Sequence, residues 1–279
     1  MSNRHTTQKR SGRKQAGLIF PAQCLYSMYK IISTIKLTDK LKANFPEKNF
    51  VPVFWMATED HDFEEISEVN LHKNKINWKL DSKNSPVGEI KLNDFKQVKS
   101  AYKNSIIDFE YKDKLESIID DAYKDGETLS TANIKFINSL FAGHGLVIID
   151  SNRRVFKKTF LDNFKNEILD SRCYVDSNSQ ISKIKNDIKS FKPQVNPSDI
   201  NFFKITKNGR KRIRKNGKKF IVDDEDEYTL DEIINQIESY PELFSPNVLM
   251  RALYQEKILP NVCYVGGPNE LKYWMQLKL

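Results

Sequence analysis

The sequence predicts an α/β fold built around a mostly parallel sheet. Two observations predict it: short apolar runs that suit interior strands recur along the chain, and helical patterns alternate with these runs. Strands that alternate with helices form parallel sheets, because each helix carries the chain back to the same end of the sheet. The chain can fill such a core, since it has 279 residues and 39% of them are hydrophobic.

The first helix and the first strand are predicted close together. Residues 24–43 place apolar side chains at nearly helical spacing, which predicts a helix. These side chains are Leu25, Met28, Ile32, Ile35 and Leu41. Residues 50–56, FVPVFWM, are too short for a buried helix and are rich in β-branched and aromatic residues, which favours an interior strand.

The middle of the sequence alternates between core units and insertions. Residues 71–130 are lysine-rich, and within them SPVGEI predicts a turn and a short strand before charged helices. Residues 131–150 predict a helix, a glycine turn and an apolar strand that ends at Asp150. Residues 151–245 predict a helix through KKTFLDNFKNEIL and then a β-meander, because two Asn-Gly turns, at 208–209 and 216–217, lie between strand-like runs.

The last segment predicts a third core unit. Residues 261–265 are expected to form a strand, Gly266-Gly267 a turn, and the residues from Pro268 or Asn269 onwards an apolar helix. The predicted divisions of the chain are 1–70 and 131–150 for the core, 71–130 and 151–245 for the insertions, and 246–279 for the last strand with its helix.

Charge and cysteine content narrow the class of protein. The formal net charge of +8 favours anionic partners in general. Cys24, Cys173 and Cys263 are odd in number and widely spaced, which is typical of reduced thiols and of a cytoplasmic protein. The sequence has neither an apolar run long enough to span a membrane nor a clear signal peptide.

The densest basic run, residues 204–220, has two interpretations. Lysine and arginine bind nucleic-acid phosphates without reading the sequence, and phenylalanines flank the run. An acidic block at 223–227 follows at once, however, and can neutralise the run from the next strand. We therefore favour a solvated hairpin face and do not expect nucleic-acid binding.

The acidic segment TEDHDFEE after the first strand is the main candidate site. Ligands of open parallel sheets bind outside the carboxyl ends of the strands. Asp62 and Glu65 form a capping pattern at a helix start, so a purely structural role is one interpretation of Asp62, Glu64 and Glu65, beside a role in the site. Glu59, Asp60 and His61 precede the cap, and a carboxylate beside an imidazole can hold a cation or an amine, or move a proton. No metal-ligand spacing is complete.

A second candidate lies near the carboxyl end of the chain. The Gly266-Gly267 turn precedes a helix, so its backbone N–H groups are candidates for binding a phosphate or a carboxylate, although two glycines also suit an ordinary tight turn. Arg251 and Glu256 lie on a short helix just before it. Arg251 is suited to gripping an anionic ligand, or to an ion pair with a nearby acid.

Four long segments resemble one enzyme family over nearly the whole chain. They are IISTIKLTDKLKANFPEKNFVPVFWMATEDHDFEEI, LFAGHGLVIID, QVNPSDINFF and FSPNVLMRALYQEKILPNVCYVGGPNELKYW. In order and spacing they resemble the cysteine ligases of bacillithiol biosynthesis. The resemblance implies a cytoplasmic, homodimeric enzyme that joins cysteine to the amine of glucosaminyl-malate. It also implies a Rossmann-like core, similar to class I nucleotidyltransferases, with two inserted connecting regions and a following coiled coil.

The resemblance also assigns site residues. The expected catalytic positions are Glu59, Asp60, His61 and Asp62, and the expected substrate-binding or nucleotide-binding positions are Arg251, Tyr254, Glu256, Gly266, Gly267, Tyr273 and Trp274. ATP is the expected cosubstrate through an adenylate-type activation of cysteine, and no metal ligand is assigned. The alternative is a remnant or a partner-binding module that keeps the Rossmann-like scaffold without catalysis.

The sequence departs from the family pattern at its two ends. Gln23-Cys24 stands where the family has Gly-Pro before a Leu-Tyr pair, so we expect weaker nucleotide binding there. The chain resembles a truncated copy that lacks the coiled coil, and we expect impaired activity from residues 1–279 alone. On this reading the last helix leaves four apolar side chains partly exposed, namely Leu271, Trp274, Met275 and Leu277.

Overall fold

The structure is a computed structural model. It describes residues 25–60, 63–71, 74–79, 86–93, 95–207, 209–223 and 226–277. The helices are α1 (Leu25–Asn44), α2 (Phe63–Ile66), α3 (Lys96–Asn104), α4 (Lys112–Ala122), α5 (Leu129–Phe141), α6 (Arg154–Thr159), α7 (Leu161–Asp170), α8 (Arg172–Asp187), α9 (Leu230–Ser239), α10 (Val248–Ile258) and α11 (Pro268–Trp274). The strands are β1 (Val53–Met56), β2 (Glu68–Leu71), β3 (Asn74–Asn77), β4 (Val147–Asp150), β5 (Phe202–Thr206), β6 (Gly209–Asn216), β7 (Lys219–Val222), β8 (Asp226–Tyr228) and β9 (Phe244–Pro246).

The parallel core pairs β1 with β4. Their register runs from Val53 opposite Val147 to Met56 opposite Asp150, so both strands end side by side. The helix, glycine turn and strand predicted for 131–150 are confirmed by α5, a left-handed Gly145 with φ of 68° and β4. Glycine suits this turn because other residues rarely adopt a positive φ. This pair places two strand ends at one edge, as the sequence predicted.

One hydrophobic cluster covers one side of the parallel pair. It combines buried residues of α1, β1 and α5 with those of the insertion helices α3 and α4. On α1, Ile31 and Ile35 are buried, whereas Ile32 is 39% exposed. The helix predicted for residues 24–43 is confirmed by α1, and its buried face follows the four-residue spacing of Ile31 and Ile35.

The largest sheet in the described part of the chain is antiparallel, in the order β8-β7-β6-β5-β9. The predicted β-meander is confirmed by β5 to β8, and the turn after β6 uses Gly217 with a φ of 58°. Asn208, of the other predicted turn, lies outside the described residues. Helices α7 and α9 pack on the inner face through a second hydrophobic cluster that contains Phe164, Phe202 and Phe244.

The outer face of this sheet meets the end of β1. Phe203 lies opposite both Ser245 and Arg212, and residues directly opposite each other in a sheet project from the same face. Arg210 follows the same alternation, two residues before Arg212. Ser245 is fully buried although it belongs to the outer face.

Two predicted elements differ from the structure, and one hairpin was not predicted. Residues 261–265 form no strand and have no ladder partner among the described residues. Within SPVGEI the structure has a 3₁₀ turn, Val87–Glu89, in place of a short strand. The β2–β3 hairpin was not predicted, whereas the charged helices α3 and α4 are confirmed.

The end of the described chain also corrects an expectation. Helix α11 ends at Trp274, and the following turn buries Leu277, which is 6% exposed. Leu271 and Met275 are each 48% exposed, as expected. In the described residues Cys173 and Cys263 are free thiols, and none of the helices described is long and apolar enough to cross a membrane.

Candidate active site at the ends of the parallel strands

The turn that follows β1 is hydrogen-bonded to the 3₁₀ turn Val87–Glu89 of the first insertion. The Gly88 N–H donates to the Thr58 carbonyl at 2.9 Å, and the Val87 N–H donates to the Asp60 carbonyl at 2.7 Å. A Cβ at Gly88 would lie 2.6 Å from the Thr58 Cβ, which real side chains do not tolerate. Glycine at this position therefore allows the backbone to close over the end of β1.

Asp150, at the end of β4, ties the core elements together. Its carboxylate accepts hydrogen bonds from the Thr58 hydroxyl, from the Ser130 hydroxyl at 2.7 Å and from the Asn152 N–H at 3.0 Å. These donors come from the β1 turn, from α5 and from the residues after β4. The carboxylate is thus occupied by the scaffold and fixes the two strand ends relative to each other.

Glu59 forms a buried ion pair that the sequence did not predict. Its carboxylate pairs with Lys157 Nζ, which also donates to the Phe244 carbonyl at 3.0 Å. Lys157 is 0% exposed and Glu59 is 2% exposed. Burial lowers the pKa of Lys157, while the charge of Glu59 opposes that shift. The structure therefore places Glu59 inside the protein, where it joins β1 to α6 and β9.

Asp60 lies at the surface of the same turn. Its side chain is 26% exposed, and Oδ1 lies 3.6 Å from Arg210 Nη1 of β6. His61 and Asp62, the other two expected catalytic residues, lie outside the described residues. Among the described members of the acidic segment, Asp60 is thus better placed than Glu59 to meet a ligand.

Tyr254 and Glu256 of α10 serve the scaffold. Tyr254 is fully buried, donates from its hydroxyl to the Ser151 carbonyl at 2.8 Å and packs edge to face on Trp55 with ring centroids 5.4 Å apart. Burial, followed by the charge of Glu59, raises the pKa of the Tyr254 phenol. Glu256 accepts a hydrogen bond from Asn261 at 2.7 Å. Neither Tyr254 nor Glu256 lines the neighbouring cavity.

A cavity of about 720 Å³ lies between α1, the second face of the β1–β4 pair and the segment 259–274. Three of the predicted binding residues line it, namely Arg251, Tyr273 and Trp274. The Trp274 ring stacks on the Tyr264 ring at a centroid distance of 4.5 Å and an angle of 19°. The volume and the aromatic lining are those of a small-molecule site.

The glycine turn beside this cavity packs more closely than the sequence suggested. The Gly267 N–H donates to Glu270 Oε2 at 2.5 Å, and Glu270 also pairs with Lys30 of α1. The expectation that the Gly267 N–H binds a ligand anion is therefore wrong, because this N–H already donates a hydrogen bond to the carboxylate of Glu270. A Cβ at Gly266 would lie 2.7 Å from the Tyr264 ring, so glycine here permits close packing.

The basic run divides into two parts. Lys211 pairs with Asp223 at 2.7 Å and Lys219 pairs with Glu227 at 2.5 Å, which confirms that the acidic block neutralises part of the run. Arg210 differs, because its side chain is 12% exposed and faces Asp60. The prediction of a solvated hairpin face is therefore wrong for Arg210.

Comparison with known proteins identifies the family. The family model described as "Bacillithiol biosynthesis BshC, N-terminal Rossmann-like domain" matches residues 11–279. A protein of Flavobacterium johnsoniae named "Putative cysteine ligase BshC" is 41% identical over 255 residues, which cover 91% of this chain and 47% of that protein. A protein of the same name from Christiangramia forsetii is 41% identical over 258 residues, which cover 91% of this chain and 48% of that protein. Another, from Cytophaga hutchinsonii, is 35% identical over 255 residues, which cover 91% of this chain and 46% of that protein.

These matches confirm the resemblance and the Rossmann-like fold, and the chain spans about half the length of the curated relatives it matches. The segment matched by the family model includes β1, β4, the meander and the cavity. The chain belongs to the BshC family of bacillithiol biosynthesis, within its N-terminal Rossmann-like domain.

Proposed function

We propose that this chain carries the substrate-binding core of a ligase that joins cysteine to the amine of glucosaminyl-malate. The observation that carries the proposal is the cavity on the second face of the β1–β4 pair, lined by Arg251, Tyr273 and Trp274, in a chain of the BshC family. The name of the relatives, cysteine ligase, supplies the reaction class. The cavity supplies a place of suitable size for a sugar-linked acid.

The chemistry of an amide ligase requires two kinds of recognition. A substrate carboxylate or phosphate needs cationic donors, and Arg251 on the cavity wall offers a planar fork of N–H groups. A substrate ammonium needs a carboxylate, and Asp60 is a partly exposed acid of the strand-end turn. Tyr264 and Trp274 offer a flat apolar wall against which a sugar ring can pack.

The proposed reaction has two steps. The carboxylate of cysteine attacks the α-phosphorus of ATP and releases pyrophosphate, and the amine of glucosaminyl-malate then attacks the activated carbonyl, loses a proton and displaces AMP. In this scheme the described residues bind and orient the substrates. The proposal further includes a cytoplasmic location and, for the complete protein, a homodimer. Nucleic acid is not a proposed partner, because part of the basic run is paired within the chain.

The proposal is tested with a chimera, because the chain spans about half of its relatives. Residues 11–279 replace the matching segment of the Flavobacterium johnsoniae protein. The purified chimera is incubated with cysteine, glucosaminyl-malate and ATP, and the thiol product is measured by mass spectrometry. We expect product above the level of an enzyme-free control, with the unmodified relative as the positive control.

Two variants of the chimera test whether Asp60 takes part in the reaction. Asp60→Asn is expected to reduce turnover at least about tenfold, because it removes a charge from the strand-end turn where ligands of parallel sheets bind. Arg212→Gln removes a charge from an exposed position of β6 and serves as the control. A folded chimera that forms no product while the relative does would refute the proposal.

A further inference from the structure

Two helices supply neighbouring parts of the cavity wall. Helix α10 carries Arg251, and helix α11 carries Tyr273 and Trp274. Arg251 Nη2 lies 3.5 Å from the Tyr273 hydroxyl, so the two helices present these side chains to one space. A ligand that contacts both helices therefore requires α10 and α11 to be held at a fixed spacing.

The turn after α11 is fastened by one buried side-chain amide. Gln276 is fully buried, and its Oε1 accepts hydrogen bonds from the N–H groups of Gln194 at 2.7 Å and Val195 at 3.0 Å. Its Nε2 donates to the Val195 carbonyl at 2.6 Å. The amide thus pairs with the backbone through both its acceptor and its donor. Since Gln276 follows Trp274 by two residues, it holds the turn in which α11 ends.

The start of α10 is held by the segment that Gln276 engages. We call residues 194–201, which lie between α8 and β5, the connector. The N–H of Asn247 donates to the Asn201 carbonyl at 2.8 Å, and its Nδ2 donates to Asn201 Oδ1 at 2.9 Å. Asn247 is the N-cap of α10, because its Oδ1 accepts two N–H groups of the first turn. The connector therefore also holds the helix that carries Arg251.

The connector is itself anchored in the protein interior. Glu167 Oε1 of α7 accepts hydrogen bonds from the N–H of Asn201 at 2.9 Å and from its Nδ2 at 2.8 Å. Both residues are buried, and Val195 packs against the second hydrophobic cluster. Buried hydrogen bonds resist breaking, because the groups left behind have no water to replace the lost partner. The connector is thus a fixed frame to which both cavity helices are bonded.

We propose that Gln276 and Asn247 are positioning residues of the cavity, each tying one of the two cavity helices to the connector and so setting the spacing of Arg251 and Trp274. A displacement of about 1 Å is enough to impair an oriented site. That the ligand is a ligase substrate rests on the proposed function, whereas the frame follows from the hydrogen bonds.

Calorimetry of the purified chain with glucosaminyl-malate tests the effect on the cavity, at a temperature at which every variant is folded. Gln276→Met keeps an unbranched side chain and removes the three hydrogen bonds, and we expect the affinity to fall about tenfold or more. Ile119→Ala is the control, because Ile119 is buried in the first hydrophobic cluster and does not line the cavity. This control lowers the melting temperature and should change the affinity less than about twofold.

A double-mutant cycle separates positioning from a general loss of structure. If Gln276 acts through Trp274, Gln276→Met weakens binding about tenfold in the wild type and less than about threefold in a Trp274→Ala background. A general loss of structure would weaken binding equally in both backgrounds. Asn247→Asp tests the other helix, because the carboxylate still caps α10 and cannot donate to Asn201. We expect its affinity to fall about fivefold or more.

Hydrogen exchange followed by mass spectrometry tests the frame without a ligand. In Gln276→Met we expect the amides of residues 194–195 and of α11 to exchange about fivefold faster than in the wild type or more, because the hydrogen bonds that join the two segments are lost. In Ile119→Ala the exchange of both segments should stay within about twofold of the wild type.

The proposal is overturned if Gln276→Met or Asn247→Asp binds as tightly as the wild type, if Trp274→Ala leaves the effect of Gln276→Met undiminished, or if the exchange of α11 is unchanged in Gln276→Met. A wild type that does not bind glucosaminyl-malate contradicts the proposed function, and the exchange of α11 then decides on the frame alone. Should Gln276→Met not fold, Asn247→Asp decides through its affinity and through the exchange of α10.

Discussion

Replacing Lys157 by methionine should destabilise the protein strongly, because the pair it forms with Glu59 is almost completely removed from solvent. Lys157 is 0% exposed and Glu59 is 2% exposed, and the lysine also bonds the Phe244 carbonyl of the meander. Methionine keeps the unbranched shape and most of the length of the side chain, and it removes the charge and the hydrogen bonds that Lys157 donates. Breaking a buried pair on one side typically costs about 3–5 kcal/mol, since the remaining carboxylate is left in the interior.

The assay is thermal and denaturant unfolding of the purified variants. For a domain of this size each kcal/mol lowers the melting temperature by roughly 2–4 °C, so the loss should be on the order of 10 °C. Lys165→Met is the control, because Lys165 pairs with Glu238 at the exposed surface and such pairs contribute about 0–1 kcal/mol. The double variant Lys157→Met/Glu59→Met removes both charges and should recover most of the stability.

Two outcomes would refute this reasoning. If Lys157→Met were no less stable than Lys165→Met, the pair would not hold the meander to the end of β1. If the double variant were as unstable as the single one, the loss would come from packing and not from a buried unpaired charge.

Three further predictions follow from the geometry. Gly88→Ala should cost about 1–3 kcal/mol in unfolding experiments, because the added methyl group would clash with the β1 turn, whereas Gly143→Ala has open space and should be nearly neutral. Glu167→Gln should cost about 1–3 kcal/mol, because the carboxylate accepts three hydrogen bonds in the interior and an amide nitrogen would face those donors. Burial raises the pKa of the Cys173 thiol from 9.0 to about 12, so peptide mapping after thiol labelling of the native protein at neutral pH should find Cys263 modified and Cys173 protected. The thiol ionises near pH 9 in the unfolded chain, so the contribution of the protonated Cys173 to the free energy of unfolding is complete below pH 9 and is lost as the pH rises towards 12. The stability of Cys173→Ala should therefore fall less between pH 9 and pH 12 than that of the wild type.

The sequence predicted those parts of the fold that depend on local patterns. The interior strand, the α5–β4 unit, the charged helices and the meander all carry periodicity or turn residues that lie close together in the chain. The same reasoning failed at residues 261–265, because a run of strand-forming residues forms a strand only when a neighbour is free to pair with it.

The candidate site was only partly predictable for the same reason. Arg251, Tyr273 and Trp274 were assigned through resemblance, and the structure brings them to one cavity. Lys157 was missed because its partner Glu59 lies 98 residues away and no local pattern marks a lysine that will be buried. Arg210 was read as one of many surface cations, since its burial depends on how the meander packs against the core.

The central claim is that the cavity on the second face of the β1–β4 pair is the substrate site. A crystal structure of the chain grown with glucosaminyl-malate tests it most directly. We predict density for the ligand in the cavity, with a carboxylate at hydrogen-bond distance from Arg251 and the sugar ring against Trp274. Ligand density bound elsewhere on the protein, with the cavity left empty, would contradict the claim.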